Sequence, residues 1–453
     1  MELKGKRVLV VGAGRSGIAA ARFLAAKGAA VTLTDIKPEP ELAPVTEFGV
    51  ETCFGAYPEV AGYDLLVVSP GVPVTEAPVV EARARGIEVI GELELAYRFA
   101  RAPIVAVTGT NGKTTTTALT GEIFRAAGKR TLVAGNIGVP LVSVVEDYGP
   151  EDVIVAEVSS FQLETTVFFR PRVAVILNVT PDHLDRHRTL AEYAAAKARI
   201  FARQTAEDTT VLNADDPVVA AMAAASRARV LFFSRKHNLK TGVFVQRGRL
   251  VVQQDGQSVE VCDARAVRIP GAHNLENALA ATAAAAALGV PAHFVGKVLQ
   301  EFPGVAHRLE FVAEIDGVRY VNDSKGTNPD AAIKALEAYP QPVVLIAGGR
   351  NKGSDFGEFA AKMKQKVRAL VVLGESAGEI AAAAHAAGIE PVFKAASLEE
   401  AVYIARDAAR PGDVVLLSPA CASWDMFKNY EERGELFKKT VGEIARRKNA
   451  VPG

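Results

Sequence analysis

Gly109-Thr110-Asn111-Gly112-Lys113-Thr114-Thr115 places two glycines, a lysine and adjacent hydroxyl residues in one short segment. The apolar run Ile104–Thr108 precedes it, and a helical stretch through Ala127 follows. A strand, a glycine loop and a lysine–hydroxyl pair opening a helix make a phosphate cradle. Backbone N–H groups surround the phosphates, and the Lys113 ammonium neutralises the β- and γ-oxygens. The Thr114 hydroxyl is suited to Mg²⁺, so the segment reads as an ATP site. Its spacing departs from the standard phosphate loop, whose first glycine falls here on Val107. The loop is therefore shorter or differently anchored.

A second glycine motif, Gly12-Ala13-Gly14-Arg15-Ser16-Gly17, follows the strand-like Arg7–Val11 and opens a helix, and Asp35 ends the next strand. This is a dinucleotide fingerprint in its proper context, and its plainest reading is an NAD-dependent dehydrogenase. The motif reports only diphosphate geometry, however, and fold does not fix function. A UDP-sugar presents the same pyrophosphate. Nothing downstream resembles hydride chemistry. The loop Ser69-Pro70-Gly71-Val72-Pro73, just beyond another strand, is placed to wall the same crevice.

Three other residues depend on their setting. Glu157 ends the strand Val-Ile-Val-Ala-Glu, the edge where open α/β sheets place their sites. His183 lies just past the next strand, in a loop with Asp182 and Asp185, where an ordinary surface histidine is the bland reading. Lys197, in Tyr193-Ala194-Ala195-Ala196-Lys197, reads unaided as a solvated helix lysine.

The elements that must hold these residues are short β-branched runs alternating with Ala-rich helical stretches. One series is Arg7–Val11, Val31–Thr34, Leu65–Ser69 and Glu88–Ile90; a second runs from Ile104–Thr108 to Val230–Phe233. A third comprises Val343–Ala347, Ala369–Leu373, Val392–Lys394 and Val414–Leu417. Such runs are buried parallel strands covered by helices, so the fold class is α/β. Val243–Val261, with polar turns at Gln246-Arg247-Gly248 and Gln254-Asp255-Gly256, reads as a small antiparallel excursion. A chain of 453 residues is too long for one core and suggests roughly three domains. We place them at residues 1–94, 95–301 and 302–453.

Lys+Arg and Asp+Glu are 52 each, so no net field favours nucleic acid or an anionic membrane. Cys53, Cys262 and Cys421 lie far apart without zinc spacing and read as reduced cytosolic thiols. The first strand starts too early for a signal peptide. The apolar stretch Ala278–Val290 falls short of the roughly 20 residues a membrane helix needs. Cytoplasm is the expected compartment.

With the phosphate loop, four later segments resemble the Mur ligase family. They are Glu157–Leu163, Asn178–Asp185, His273–Asn277 and Asn322–Asn328. The likeness runs over essentially the whole chain. It narrows towards D-glutamate-adding members at Ser159–Thr166, the N-terminal glycine loop and Ser418–Ser423. The resemblance implies three domains: a Rossmann-like one for a UDP moiety, a central phosphate-loop ATPase domain with a mostly parallel sheet, and a Rossmann-like C-terminal one. It implies a cytoplasmic monomer that attaches D-glutamate to UDP-N-acetylmuramoyl-L-alanine through an acyl phosphate, in peptidoglycan precursor synthesis. The first glycine loop would then hold UDP, not NAD.

What the resemblance implies for the sites can be written residue by residue. Gly109 to Thr115 (Gly109, Thr110, Asn111, Gly112, Lys113, Thr114 and Thr115), with Asn277, Arg308 and Asp323, would bind ATP. Lys113, Glu157, His183, Lys197 and Arg308 would be catalytic. Two Mg²⁺ ions are implied, on Thr114 and Glu157, and on His183 with a carbamylated Lys197. Arg15, Ser16, Asp35, Lys37, Ser69, Gly71, Asn136, Gly138, Ser159 and His183 would bind the UDP substrate. Lys325, Thr327, Lys352, Ser423 and Tyr430 would bind D-glutamate, whose two carboxylates need several cationic and hydroxyl donors. The plain reading of Lys352 is a surface turn, and Asn274 suits a helix cap better than Asn277 does. A ligase of the same fold adding another amino acid, or building folate polyglutamate, is the nearest alternative.

Overall fold

Arg7–Val11, Ile104–Thr108 and Val343–Gly348 are β-branched runs buried along nearly their whole length. Each lies inside a sheet with parallel neighbours on both sides. That position explains their composition, because helices cover both faces of such strands. The structure is a computed structural model that describes residues 1–38, 45–254 and 256–449.

Among the described residues there are three sheets. The first is wholly parallel, in the order Glu51–Phe54, Ala30–Asp35, Arg7–Val11, Leu65–Val68, Glu88–Gly91. In the second, Thr131–Gly135, Val153–Glu157, Ile104–Thr108, Val173–Ile176, Thr209–Asn213, Arg229–Ser234 and Gly242–Gln246 run parallel. Arg249–Gln254 and Gln257–Asp263 then continue it antiparallel, which is the expected excursion. Its first turn has Arg247 and Gly248 at positive φ, as a tight hairpin demands. Asp255, in the second expected turn, lies outside the described residues. The third sheet runs Glu310–Ile315, Val318–Asn322, Val414–Leu417, Val343–Gly348, Val367–Leu373, Val392–Lys394.

Three of these strands correct the expected series. Glu310–Ile315 and Val318–Asn322 form an antiparallel hairpin ahead of Val343, and Glu51–Phe54 adds an edge to the first sheet. Glu310–Ile315 and Glu51–Phe54 are half-exposed edge strands, so they lack the apolar run that marks a central one. The hairpin did carry a signal, Asp316-Gly317, with both residues at positive φ. Asn274 is also corrected: the helix begins at Ala272, so Asn274 sits in its first turn rather than at its cap.

The chain packs as two compact units. The first holds Met1–Val179, Arg186–Ala264 and Ala278–Val298, and so the first two sheets. The second holds Thr180–Asp185, Arg265–Asn277 and Leu299–Gly453, with the third sheet. No described helix is long and apolar enough to cross a membrane.

In the first unit one core continues from the first sheet into the second. The helix Glu92–Tyr97 sits between them and carries two buried carboxyls. Glu94 accepts hydrogen bonds from the backbone N–H groups of Val167, Phe168 and Phe169 at 2.9–3.0 Å, and from Arg98 Nε at 2.9 Å. Glu94→Ala leaves these donors buried without their acceptor. We expect a loss of about 3–5 kcal/mol, read as a thermal midpoint lower by roughly 6 °C or more. A midpoint within a degree of wild type would contradict the assignment.

Glu92 behaves differently. One oxygen accepts from Val142 N at 2.7 Å, while the other is buried with no hydrogen-bond partner. Burial pushes its carboxyl up to about 7. The folded state therefore holds a proton that the unfolded chain releases near pH 4.5, so this group's contribution falls as pH rises from 4.5 through 7. Glu92→Gln keeps the acceptor and removes the titration. Between pH 5 and pH 8, wild type should lose about 2–3 kcal/mol more than the variant in urea unfolding. Equal losses would count against it.

Candidate active site

The second sheet reverses direction of winding around Ile104–Thr108, and the phosphate loop leaves this strand at that switch point. Val107 is a buried strand residue paired with Glu157 and Val175, so the loop begins two residues later, at Gly109. Gly109 has φ +152°, and a Cβ there would lie 2.9 Å from Leu177 Cβ. Asn178 holds the loop's far side: its carbonyl accepts from Thr110 N, its Oδ1 from Asn111 N at 2.9 Å, and its Nδ2 donates to Asn111 O. Gly112 then caps the helix Lys113–Ala126, which has no acidic residue in its first turn to compete with an anion.

Lys113 Nζ reaches the carbonyls of Gly109 and Thr110 at 2.9 and 2.8 Å, over the loop. Thr114 Oγ1 donates to Glu157 Oε2 at 2.7 Å, and Asn136 Nδ2 donates to Glu157 Oε1 at 2.9 Å. Glu157 is thus a buried carboxylate shared between the loop and Asn136. Lys197 corrects the solvated reading. It is 1% exposed, donates to Gly109 O at 2.8 Å and lies 4.3 Å from the centre of the Tyr193 ring. Ser159 caps Ser160–Leu163 through a capping box with Gln162.

The first glycine loop opens on a cleft of about 680 Å³. Arg15, Ser16, Asp35, Lys37, Ser69, Gly71 and Asn136 all line it, with Ile36 and Tyr57 beside them. Arg15 also hydrogen-bonds Gly138 O. Gly14 caps the helix Arg15–Ala26, again without a first-turn acid. A Cβ on Gly17 would collide with Gly12 O and Ser69 Oγ, so close packing under the loop requires glycine there. Asp35 is occupied by backbone donors, Ala13 N at 2.8 Å and Lys37 N at 3.0 Å. Asn136 is the residue that belongs to both this cleft and the Glu157 cluster.

The second unit gathers the remaining expected residues. Asp323 is buried and accepts from Ser418 Oγ at 2.8 Å; burial pushes its carboxyl up, while Arg308, 3.5 Å away, opposes the shift. Asn277 Nδ2 donates to Asn274 Oδ1 at 3.1 Å. Lys325 Nζ lies 5.1 Å from the centre of the Tyr430 ring, and Tyr430 O accepts from Ser324 Oγ. Thr327 N donates to Lys325 O. The Ser423 hydroxyl is buried with no hydrogen-bond partner, which is uncommon for a buried polar group. Lys352 is not on a plain surface turn. It pairs with Asp182 at 3.1 Å, and Asp182 also accepts from Asn328 Nδ2 at 3.2 Å. Asp182, His183 and Lys352 border one cavity of about 360 Å³. Among the described residues, no three His, Cys, Asp or Glu side chains cluster as a metal site.

Three family descriptions match in sequence order: "Mur ligase MurD-like, N-terminal domain" over residues 6–91, "Mur ligase middle domain" over 107–285, and "Mur ligase, glutamate ligase domain" over 307–421. The UDP-N-acetylmuramoylalanine–D-glutamate ligase of Pelotomaculum thermopropionicum is 62% identical over 96% of this chain and 97% of its own length. The chain belongs to the Mur ligase family. The ligase of the same name from Caldanaerobacter subterraneus is 50% identical over 98% of this chain and all of that protein. Among solved structures, the UDP-N-acetylmuramate–alanine ligase of Thermotoga maritima has a TM-score of 0.61 and 21% identity, covering 97% of this chain and 99% of that one. A pseudomurein peptide ligase of Methanothermus fervidus gives 0.62 and 19%, over 97% and 100%. At those identities they share the three-domain Mur ligase architecture.

In this Mur ligase some residues of the third sheet's site lacked any motif. Arg433 is 2% exposed, and its guanidinium bonds Ser324 Oγ at 3.0 Å, Ser324 O at 2.7 Å and Cys421 O. Burial lowers it to about 10. It joins the segment that carries Lys325 to the one that carries Ser423. His307 bonds Asn322 and packs against Gly434, where a Cβ would collide with its ring. Neither has a neighbour pattern in sequence; only their burial marks them.

Proposed function

We propose that the protein joins D-glutamate to the L-alanyl carboxylate of UDP-N-acetylmuramoyl-L-alanine, with ATP going to ADP and phosphate, in peptidoglycan precursor synthesis. Relatives at 48–62% identity over nearly their full length carry the name of that ligase. The single geometric observation behind the reading is Glu157. One oxygen meets Thr114 of the phosphate loop and the other meets Asn136 of the cleft. On this reading, the ATP site and the nucleotide-sugar cleft are linked through one carboxylate, by way of Asn136.

The chemistry follows from the substrate. A carboxylate is a poor electrophile, so one of its oxygens attacks the γ-phosphorus, ADP leaves, and an acyl phosphate forms. The amine then attacks the acyl carbon, loses a proton and expels phosphate. Positioning and charge neutralisation dominate such a transfer. Lys113 neutralises the phosphate oxygens, and the loop's N–H groups orient them. Thr114 and Glu157 are hard oxygen donors of the kind Mg²⁺ prefers, and the bound ion would supply further positive charge to the phosphates. Lys197 is read as carbamylated from its match to the family's carbamylated lysine; the modification would turn a cation into an anion able to ligate Mg²⁺. Lys325, Thr327, Lys352, Ser423 and Tyr430 form the D-glutamate subsite of this reading, and Asn277, Asp323 and Arg308 the nucleoside one. The three domains divide at 94/95 and 301/302.

The test measures phosphate release from ATP with Mg²⁺ and UDP-N-acetylmuramoyl-L-alanine, adding D-glutamate, L-glutamate, L-lysine or diaminopimelate one at a time. Release with D-glutamate alone is the expected result. Release with another of the four moves the assignment to a different Mur-type ligase, and release with none favours a gated ATPase.

A further inference from the structure

We propose that Arg186 is a positioning residue for the nucleotide-sugar cleft, fixing the wall formed by Pro70, Gly71 and Val72. The proposal rests on the reading of that cleft as a UDP-substrate site. Arg186 Nη1 donates to Pro70 O at 3.3 Å, and Nη2 to Val72 O at 3.2 Å. The same Nη2 meets Glu164 Oε2 at 2.5 Å, and the guanidinium lies 4.4 Å from the centre of the Phe161 ring. The side chain is only 14% exposed. A planar fork reaches two carbonyls and a carboxylate at once, which a lysine ammonium does not reproduce.

The wall needs such a donor. Pro70 and Pro73 have no N–H groups, and the loop's turn bonds run from Val72 N to Ser69 O at 3.0 Å and from Glu76 N to Pro73 O at 3.1 Å. The Pro70 and Val72 carbonyls take their hydrogen bonds from Arg186. On its inner side the wall presses on the first glycine motif: a Cβ on Gly12 would lie 2.6 Å from Val72 Cγ2 and 2.8 Å from Ser69 Cβ. Where Val72 sits therefore sets the width of the cleft over Gly12–Gly17. Arg186 does not itself line that cleft, so it acts through the loop.

The opposite end of the contact is also anchored. Glu164 follows the short helix Ser160–Leu163 capped by Ser159. His187, the residue after Arg186, bonds Ser160 Oγ at 3.0 Å and stacks on Phe161. Two consecutive side chains thus couple the capped helix to the cleft wall within the first unit.

The test uses full-length Arg186→Met and Arg186→Lys, with affinities for UDP-N-acetylmuramoyl-L-alanine and ADP measured by calorimetry. Losing two charge-assisted bonds to carbonyls should weaken the sugar-nucleotide about tenfold in the Met variant. The Lys variant should lose affinity too, and ADP should stay within about twofold in both. KM for the sugar-nucleotide should rise with kcat nearly unchanged. Unaltered sugar-nucleotide affinity overturns the proposal, and so does an equal loss for both ligands, which marks a general structural role. If the Met variant fails to fold, the Lys variant decides by the same comparison. A wild-type protein with no affinity for the sugar-nucleotide overturns the reading of the cleft itself, and the proposal with it.

Discussion

Lys113→Ala should lower ATP-dependent product formation by about a hundredfold to a thousandfold while leaving the protein folded. The ammonium lies over the phosphate loop, within 3 Å of the Gly109 and Thr110 carbonyls. No other cationic side chain belongs to the segment Gly109–Thr115. Charge that develops on the transferred phosphoryl group would lose its nearest compensation, and one lost stabilising donor commonly costs about 10²–10³ in rate. Folding should survive, because the rest of the loop is held by Asn178 and by the helix Lys113–Ala126 rather than by the ammonium. The measurement is single-turnover formation of the D-glutamyl product, with the thermal midpoint as control. A folded variant working within tenfold of wild type would remove Lys113 from the mechanism, and with it the phosphate loop as the site of transfer.

The second large effect concerns Lys197. Its side chain is almost wholly buried, against Gly109 O and the Tyr193 ring, so Lys197→Ala alters the floor of the phosphate loop. If the wild-type residue is carbamylated, the variant lacks an anion as well as a side chain. Activity should fall by about a hundredfold or more, and formate, acetate or bicarbonate at high concentration should restore part of it. Rescue by small carboxylates separates the two accounts. A plain structural lysine leaves a cavity that an anion does not repair, whereas a carbamate leaves a missing charge that one does. Loss of activity without any rescue, together with an unmodified Lys197 mass in the wild-type protein, would remove carbamylation. Full activity in the unrescued variant would remove Lys197 from the site altogether.

Lys113 and Lys197 differ in how openly the chain carries them. Lys113 is legible because its neighbours in sequence are its neighbours in space: strand, glycines, hydroxyls and helix all lie within one local unit. The first glycine motif was legible for the same reason, and most of its expected partners line one cleft. Lys197 was not legible from its own surroundings. Its alanine-rich helix looks solvated, and only packing against Gly109, 88 residues away, buries it. Lys352 repeats the lesson, since its partner Asp182 is 170 residues distant.

By itself, the order of residues determined the α/β class, the central strands and the two glycine-rich turns. Backbone geometry at a glycine and side-chain alternation along a strand are short-range properties, written in a few adjacent positions. The tertiary structure alone decided which polar groups are buried. Glu94 faces three amides some 75 residues on, and Arg186 reaches Val72 across 114. Arg433 joins two segments of the third sheet's site. A buried charge is tolerated only where donors or acceptors converge on it, and that convergence is a product of topology.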